Sequence, residues 1–422
     1  MIVVIVVAGA GYYFYSTSTS SMTTTASTSA MVSSSMAASS SAAPSPIYIG
    51  VITPLSAPAD YISGKQILAT AQLYVNYTNA NGGLVVNGTH VPLALTVQDQ
   101  TLDPATAISA LQLEETQYHI VGLVGPWESL VALPVANATQ QFPTIMFCTY
   151  SWADAITANH YKYVFRTGVY NSLIATKLAE YLKYKGLSNI VQVAEDSSFG
   201  RGFNTALMQA MNATMPNAKL TTIFTPPGAT DYTSALTTFM TMSPKPDTLI
   251  MTLNVPGAVT AAKEAYDMGF QKFATVIQSV DWPTYDGGTS WWQAVGQNGI
   301  GGIYASWSPP SLNLTAPGQT FTSLFEKSQG HPPAFWLIWY WDSLRMLGQA
   351  IQTTGSTNPD VLANYIQGAS IQGSTGGTIT YDNSGGPGSP LWHQWTGENM
   401  YIYEFTEVNQ PTNSTKLIYT TP

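Results

Sequence analysis

The chain has 422 residues, 45% of them hydrophobic, which suffices for two ordinary domains with a core each and excludes a disordered protein. Charged residues make up only 9%, against a usual ~25%, so neutral polar groups carry the surface. The net charge is −9 and the 14 Lys plus Arg form no run, which argues against nucleic acid or an anionic membrane surface as partner.

Met1 to Tyr15 is uncharged and apolar, short of the ~20 residues a membrane span needs, and lacks a basic start. It reads as the hydrophobic part of an anchor or signal, residues 1–15. Ser16 to Pro46 is almost entirely Ser, Thr, Ala and Met without apolar periodicity, the composition of a linker, residues 16–46. No Cys follows the apolar start, so a lipid-modified cysteine is excluded as tether. The single cysteine, Cys148, lies in an apolar run and reads as a buried small hydrophobe; internal disulfides and thiolate metal sites are excluded.

From Ile47 the pattern turns regular. Ile47 to Ile52 is predicted as a strand, Gly64 to Asn79 as a helix closed by Asn81-Gly82-Gly83, and Pro92 to Val97 as a strand. Asp103-Pro104 places an N-cap before a proline at the first position of a helix running to Tyr118. The stretch His119 to Trp152 then reads strand, Gly125-Pro126 turn, helix from about Glu128-Ser129, and strand Thr144 to Cys148. Polar and aromatic residues follow both strand ends. In a parallel sheet those ends line the crevice where ligands bind, and a helix start aims free N–H groups into it.

A second series begins after Phe165-Arg166-Thr167. Strands Asn189 to Ala194, Leu220 to Thr225, Thr248 to Leu253 and Ala274 to Gln278 alternate with helices Ser172 to Lys185, Phe203 to Met211, Tyr232 to Met242 and Gly257 to Met268. Trp307-Ser308-Pro309-Pro310 leaves this series, a long helix Phe335 to Thr354 returns to the first, and Gly373 to Gly388 leads to terminal strands near Thr378 to Tyr381 and Tyr401 to Phe405. The fold class expected is α/β: two Rossmann-like lobes with parallel-rich sheets. One comprises residues 47–168 plus 309–372, the other 169–308 plus 373–422.

The segments IYIGVITPLSAPADYISGKQILATAQLYVNYTNANGG, VQDQTLDPATAISALQ, IVGLVGPWES, FRTGVYNS, VAEDSSFGRGFNTAL, TDYTSALTTF, PDTLIMT, AAKEAYDMGF and ITYDNSGG resemble, in order, those of the solute-binding proteins of branched-chain amino acid ABC importers. The resemblance runs from about Ile47 to Phe405. It implies a type I periplasmic binding fold whose lobes are joined by three crossovers, here near Thr167, Trp307 and Gly373. It further implies closure on a small ligand and docking to ABC permease subunits.

In that family the ligand carboxylate meets hydroxyls and main-chain N–H groups after the strand ending in Gly-Pro, and its ammonium meets an acidic group of the second lobe. Carried over, Ser129 supplies the helix-start hydroxyl, and Tyr150, Ser151 and Trp152 stand where the family has Ala-x-Thr or Ser-x-Thr. Trp152 removes a hydroxyl and offers an aromatic wall or an indole N–H. Phe199 stands where a Tyr is usual, Asn254 lies in a contact loop, and Asp281 is the acidic candidate. Trp127 beside Ser129 is a possible pocket floor, and Tyr61 in the first loop a possible cover. Trp336, Trp339, Tyr340 and Trp341 crowd one helix and read mainly as core.

No nucleophile elbow, zincin motif or P-loop is present, and the five His are scattered, so neither catalysis nor a cofactor or metal is expected. The sequons at Asn76, Asn87, Asn137, Asn212, Asn313 and Asn413 suggest N-glycosylation outside the cytoplasm. The sequence thus points to an extracytoplasmic, surface-tethered receptor for a small solute, most simply an apolar or aromatic amino acid. The alternatives are a structural or interaction protein reusing the fold, a binding protein for another neutral solute such as a sugar or amide, and a sensor coupled to signalling.

Overall fold

The computed structural model describes residues 3–5, 44–284, 286–381, 383, 385, 388–397 and 399–420. The apolar start, apart from Val3–Ile5, and residues 16–43 of the Ser/Thr tract lie outside these residues; Val3–Ile5 pair antiparallel with Leu95–Val97 at a sheet edge. No helix among the described residues is long and apolar enough to cross a membrane.

Two sheets organise the chain. In the first, the strand order is Val3–Ile5, Leu93–Asp99, Ile47–Thr53, Gly122–Val124, Ile145–Phe147 and Val164–Phe165, parallel after the first pair. In the second, it is Lys219–Thr225, Asn189–Glu195, Thr248–Thr252, Thr275–Gln278, Ile303–Ser306, Tyr401–Glu404 and Lys416–Thr420, with the last two antiparallel. The strands Ile47–Thr53 and Asn189–Glu195 therefore belong to different sheets. The parallel strands read as nearly continuous apolar runs because helices cover both faces.

Local chemistry explains the helix starts. Asp103 accepts hydrogen bonds from the Ala105 and Thr106 N–H groups at 3.2 Å, and Pro104 opens the helix Pro104–Tyr118. Asp60 caps Tyr61–Ala80 by accepting from the Ser63 N–H at 3.1 Å. Helix Leu337–Thr354 is buried nearly all round, with Trp339, Tyr340 and Trp341 each at most 2% exposed. It packs on helix Tyr61–Ala80, where Trp341 meets Tyr74 edge-on at 5.5 Å.

The chain passes from the first sheet to the second between Phe165 and Asn171, and leaves the second after Ser306. The third passage differs from the reading of residues 373–422 as part of the second lobe. Ser370–Gln372 and Thr378–Thr380 pair only with each other, the glycine-rich turn closing a hairpin too short to reach a sheet. That hairpin is fastened to helix Leu337–Thr354, because Asp342 accepts from the Ser374 N–H at 2.8 Å and from its hydroxyl at 2.6 Å. His393 and Thr157 likewise tie residues 390–393 to the first-sheet side. Only from Tyr401 does the chain rejoin the second sheet. Helices Ala316–Gln329 and Pro359–Gly368 and the hairpin Leu84–Val86/Thr89–Val91 add to the predicted elements.

Candidate functional site

The carboxyl ends of the parallel strands carry the loops that meet between the two sheets. After Val124 the chain must turn sharply past Ile52: Gly125 has φ +94°, and a β-carbon there would lie 2.1 Å from the Ile52 carbonyl oxygen. Pro126, Trp127 and Glu128 follow, and helix Ser129–Ala138 begins. After Phe147 the chain presents Tyr150, Ser151 and Trp152. From the second sheet come Phe199 in the first turn of helix Ser198–Thr214, Asn254 after Thr248–Thr252, and Val280-Asp281 after Thr275–Gln278.

These loops enclose a cavity of about 20 Å³, lined by Trp127, Ser129, Tyr150, Trp152, Phe199, Asn254 and Val280. That is room for about one water. Aromatic rings take most of the remaining space. Trp127 stacks on Tyr150 with centroids 4.7 Å apart and planes 9° apart, and Trp152 meets Phe199 edge-on at 5.3 Å. Trp336 closes one side, 4.8 Å from Trp127 and 5.4 Å from Tyr150.

The polar groups fall into two sets. Ser129, only 2% exposed, accepts a hydrogen bond from the Ala153 N–H at 3.1 Å, which leaves its own proton to donate beside the free N–H groups of the helix start. The Trp152 indole Nε1 is buried with no partner among the described residues. The second set is acidic and lies behind the lining residues Tyr150 and Asn254. Tyr150 donates its hydroxyl proton to Asp281 Oδ1 and accepts from Trp307 Nε1 at 2.9 Å. Burial pushes the Asp281 carboxyl up to about 7, and its Oδ2 has no partner among the described residues. Glu195 accepts from the Asn254 amide at 3.2 Å on both oxygens, and burial raises its pKa.

Beneath the turn, Glu128 accepts from the Asp60 N–H at 3.0 Å and from the Gln100 amide, while Gln100 accepts from the Trp127 N–H at 2.8 Å. Burial holds Glu128 well above the usual carboxylate range, reinforced by the charges of Asp60 and Glu195. Asp60 is pushed up to about 6, also by burial.

Of the residues singled out from sequence, Trp127, Ser129, Tyr150, Trp152, Phe199 and Asn254 meet at this cavity, and Asp281 joins it through Tyr150. Two do not reach it. Ser151 donates to the carbonyls of Pro126 at 2.9 Å and Trp127 at 2.5 Å, so its hydroxyl braces the turn. Tyr61 begins a helix rather than a loop and is half-buried beside Lys65, whose Nζ lies 5.0 Å from its ring centroid. Trp336, from the helix read mainly as core, is a ring that reaches the cleft, while Glu128, Glu195, Trp307 and Val280 were missed. Nothing local marks them: Trp307 bonds Tyr150 across 157 positions, a pairing that only the fold creates.

Cys148 is buried, and burial raises its thiol to about 11, against any nucleophilic role. No group of His, Cys, Asp and Glu among the described residues is arranged to hold a metal ion.

Compared with curated protein sequences, the chain matches none. Solved structures do resemble it. A leucine binding protein from Thermotoga maritima is 15% identical with a TM-score of 0.72, covering 89% of this chain and 98% of that one. An ABC transporter solute-binding protein from R. palustris in complex with 4-hydroxybenzoate is 18% identical with a TM-score of 0.74, covering 89% and 97%. A branched-chain amino acid transporter substrate binding protein from Streptococcus pneumoniae in complex with isoleucine is 17% identical with a TM-score of 0.70, covering 89% and 100%. At these identities the likeness establishes the fold, with its two parallel-rich sheets. A family model described as periplasmic binding protein matches residues 46–406, nearly the whole of the regular part of the sequence. The chain belongs to the periplasmic binding protein family.

Proposed function

We propose that the chain is an extracytoplasmic receptor that binds a small solute between two lobes and delivers it to the permease of an ABC importer. The observation that carries this reading is the cavity itself: Ser129 and Trp152 from the first-sheet loops line it, while on the second-sheet side Asp281 lies behind Tyr150 and Glu195 behind Asn254, each through one hydrogen bond. Donors on one side suit a carboxylate, and carboxyls on the other suit an ammonium. An apolar or aromatic amino acid has this pattern, and the structural neighbours hold isoleucine or a hydroxybenzoate. Members of the family serve transport by binding, and a non-catalytic role is the reading we adopt here. Native mass spectrometry of the protein as isolated tests it. A retained molecule of amino acid or aryl acid mass is expected; a retained hexose would move the reading to neutral solutes.

In this reading residues 47–168 and 309–380 form one lobe, and residues 169–308 with 401–420 the other. Residues 1–15 anchor or once targeted the chain, and residues 16–46 hold the receptor off the membrane. A chain starting at Ile47 is then expected to keep its near-ultraviolet circular dichroism. For glycosylation the exposed loop residue Asn313 is the best placed of the sequons, whereas Asn76, Asn137 and Asn212 sit within helices. The small size of the cavity favours a second reading, an interaction protein that reuses the fold. Failure to bind any solute of the classes above would support it.

A further inference from the structure

Tyr150 stands in the cleft as a ligand would. Its ring stacks on Trp127 and lies 5.2 Å from Trp152, 5.4 Å from Trp336, 6.0 Å from Trp339 and 6.5 Å from Trp307, so five indoles surround it. Its hydroxyl is held at two points: it donates to Asp281 and accepts from Trp307 Nε1 at 2.9 Å. Tyr150 belongs to the loop after the first-sheet strand Ile145–Phe147, Asp281 to the loop after the second-sheet strand Thr275–Gln278, and Trp307 to the crossover between the sheets. One phenol therefore ties a loop of the first sheet to a loop of the second and to the crossover between them.

Volume gives the second strand of the argument. The space beside Tyr150 is about 20 Å³, room for about one water, so an amino acid or aryl acid enters only if Tyr150 moves or the loops part. Trp152, which lines this space, and Asp281, which takes the Tyr150 hydroxyl on its Oδ1, each leave one buried polar atom, Nε1 and Oδ2, with no partner among the described residues. An unmet buried donor and acceptor destabilise the arrangement that leaves them so. A solute offering an acceptor to one and a donor to the other removes that cost.

We propose that the phenol of Tyr150 is an internal competitor for the cleft, and that the solute displacing it is a small aromatic molecule carrying a hydrogen-bond donor at one end and an acceptor at the other. The class rests on the solute-receptor reading above; the competition rests on the cage alone. The cage selects a flat ring because five indole faces and edges already fit one. It selects a donor because the occupant's hydroxyl lies against Asp281, and a buried carboxyl binds a donor far better than an alkyl group.

The experiment uses the full chain in three forms: wild type, Tyr150→Ala and Tyr150→Phe. In Tyr150→Ala, calorimetric titration with p-cresol and with toluene asks whether the emptied cage recognises a phenol. An affinity about tenfold or more higher for p-cresol is expected from the regained bonds to Asp281 and Trp307, and it should shrink when Asp281→Leu removes the acceptor. Equal affinity for the two probes overturns the proposal. Tyr150→Phe keeps the ring and guards against a folding defect in the alanine variant. In it, 4-hydroxybenzoate and phenylalanine should bind several-fold more tightly than in wild type, because the tie that opposes entry is gone. A weaker affinity would make Tyr150 a solute contact instead and also overturns the proposal. If neither solute binds any form, the solute reading fails while the p-cresol preference still decides the role of Tyr150.

Discussion

On the proposed reading, Ser129 serves the fold and the ligand together. Its oxygen accepts from the Ala153 N–H, which fixes the loop bearing Trp152, and its hydroxyl lines the cavity at the start of a helix with its proton left to donate. Ser129→Ala should weaken solute binding by roughly 1 to 3 kcal/mol through the lost bond to a charged group. Calorimetry would show it as a change in affinity at unaltered stoichiometry. Ser129→Thr, which keeps the hydroxyl, should recover most of the loss.

The crossovers show what a single element boundary can hold. Arg166 is fully buried in the first of them and donates to the carbonyls of Ser151 at 3.1 Å and Ala153 at 2.9 Å, to Thr157 at 2.7 Å and to Gln394. Burial lowers its pKa while the nearby Asp154 carboxylate opposes that shift. The Arg166 N–H donates to His393 and its carbonyl accepts from Trp395, so the first crossover is paired with the segment that precedes the last strands. Arg166→Met, close in volume, leaves two carbonyls and Gln394 without their donor. A loss of roughly 3 kcal/mol in stability is expected, read as a lower denaturant midpoint with unchanged slope.

The alternation of strands and helices was legible from Ile47 onward because buried parallel strands need continuous apolar runs and helices need a 3.6-residue stripe. The pairs Asp103-Pro104 and Gly125-Pro126 located helix start and turn through chemistry that acts within a few residues. The hairpin Ser370–Gln372/Thr378–Thr380 was misread, since three-residue strands carry too little pattern to say what they pair with. At the site, Ser129 and Trp152 were legible because each follows a strand end, and Phe199 only through the resemblance. Glu128 and Glu195 were not, because nothing in sequence tells a buried carboxyl from a solvated one.

At the scale of the whole molecule, burial of carboxyls is the unusual feature. Besides the four around the cleft, Glu114 lies over Gly50 with neither oxygen partnered among the described residues, and burial pushes it up to about 8. Such a group binds its proton more tightly folded than unfolded. Its contribution is fully present below the unfolded value near 4.5 and is lost as pH rises through about 8. Asp281 and Asp60 act in the same direction, with folded values of about 7 and about 6. The protein should therefore be more stable at pH 5 than at pH 8. Glu114→Gln should flatten that profile by on the order of 2 kcal/mol, as followed by thermal unfolding across the range. Few bases and many protonated carboxyls together suit an acidic medium, where carboxylate repulsion disappears and little positive charge accumulates.

The central claim is that the two sets of loops grip a small solute with opposite chemistries at its two ends. Calorimetric titration of the full chain with leucine, phenylalanine and their deaminated analogues tests this most directly, repeated with Asp281→Asn. Micromolar or tighter binding of at least one amino acid is expected, with a preference over its deaminated analogue that Asp281→Asn abolishes. Equal affinity for each amino acid and its analogue would remove Asp281 from the site, and absence of heat with every member of the panel would contradict the account.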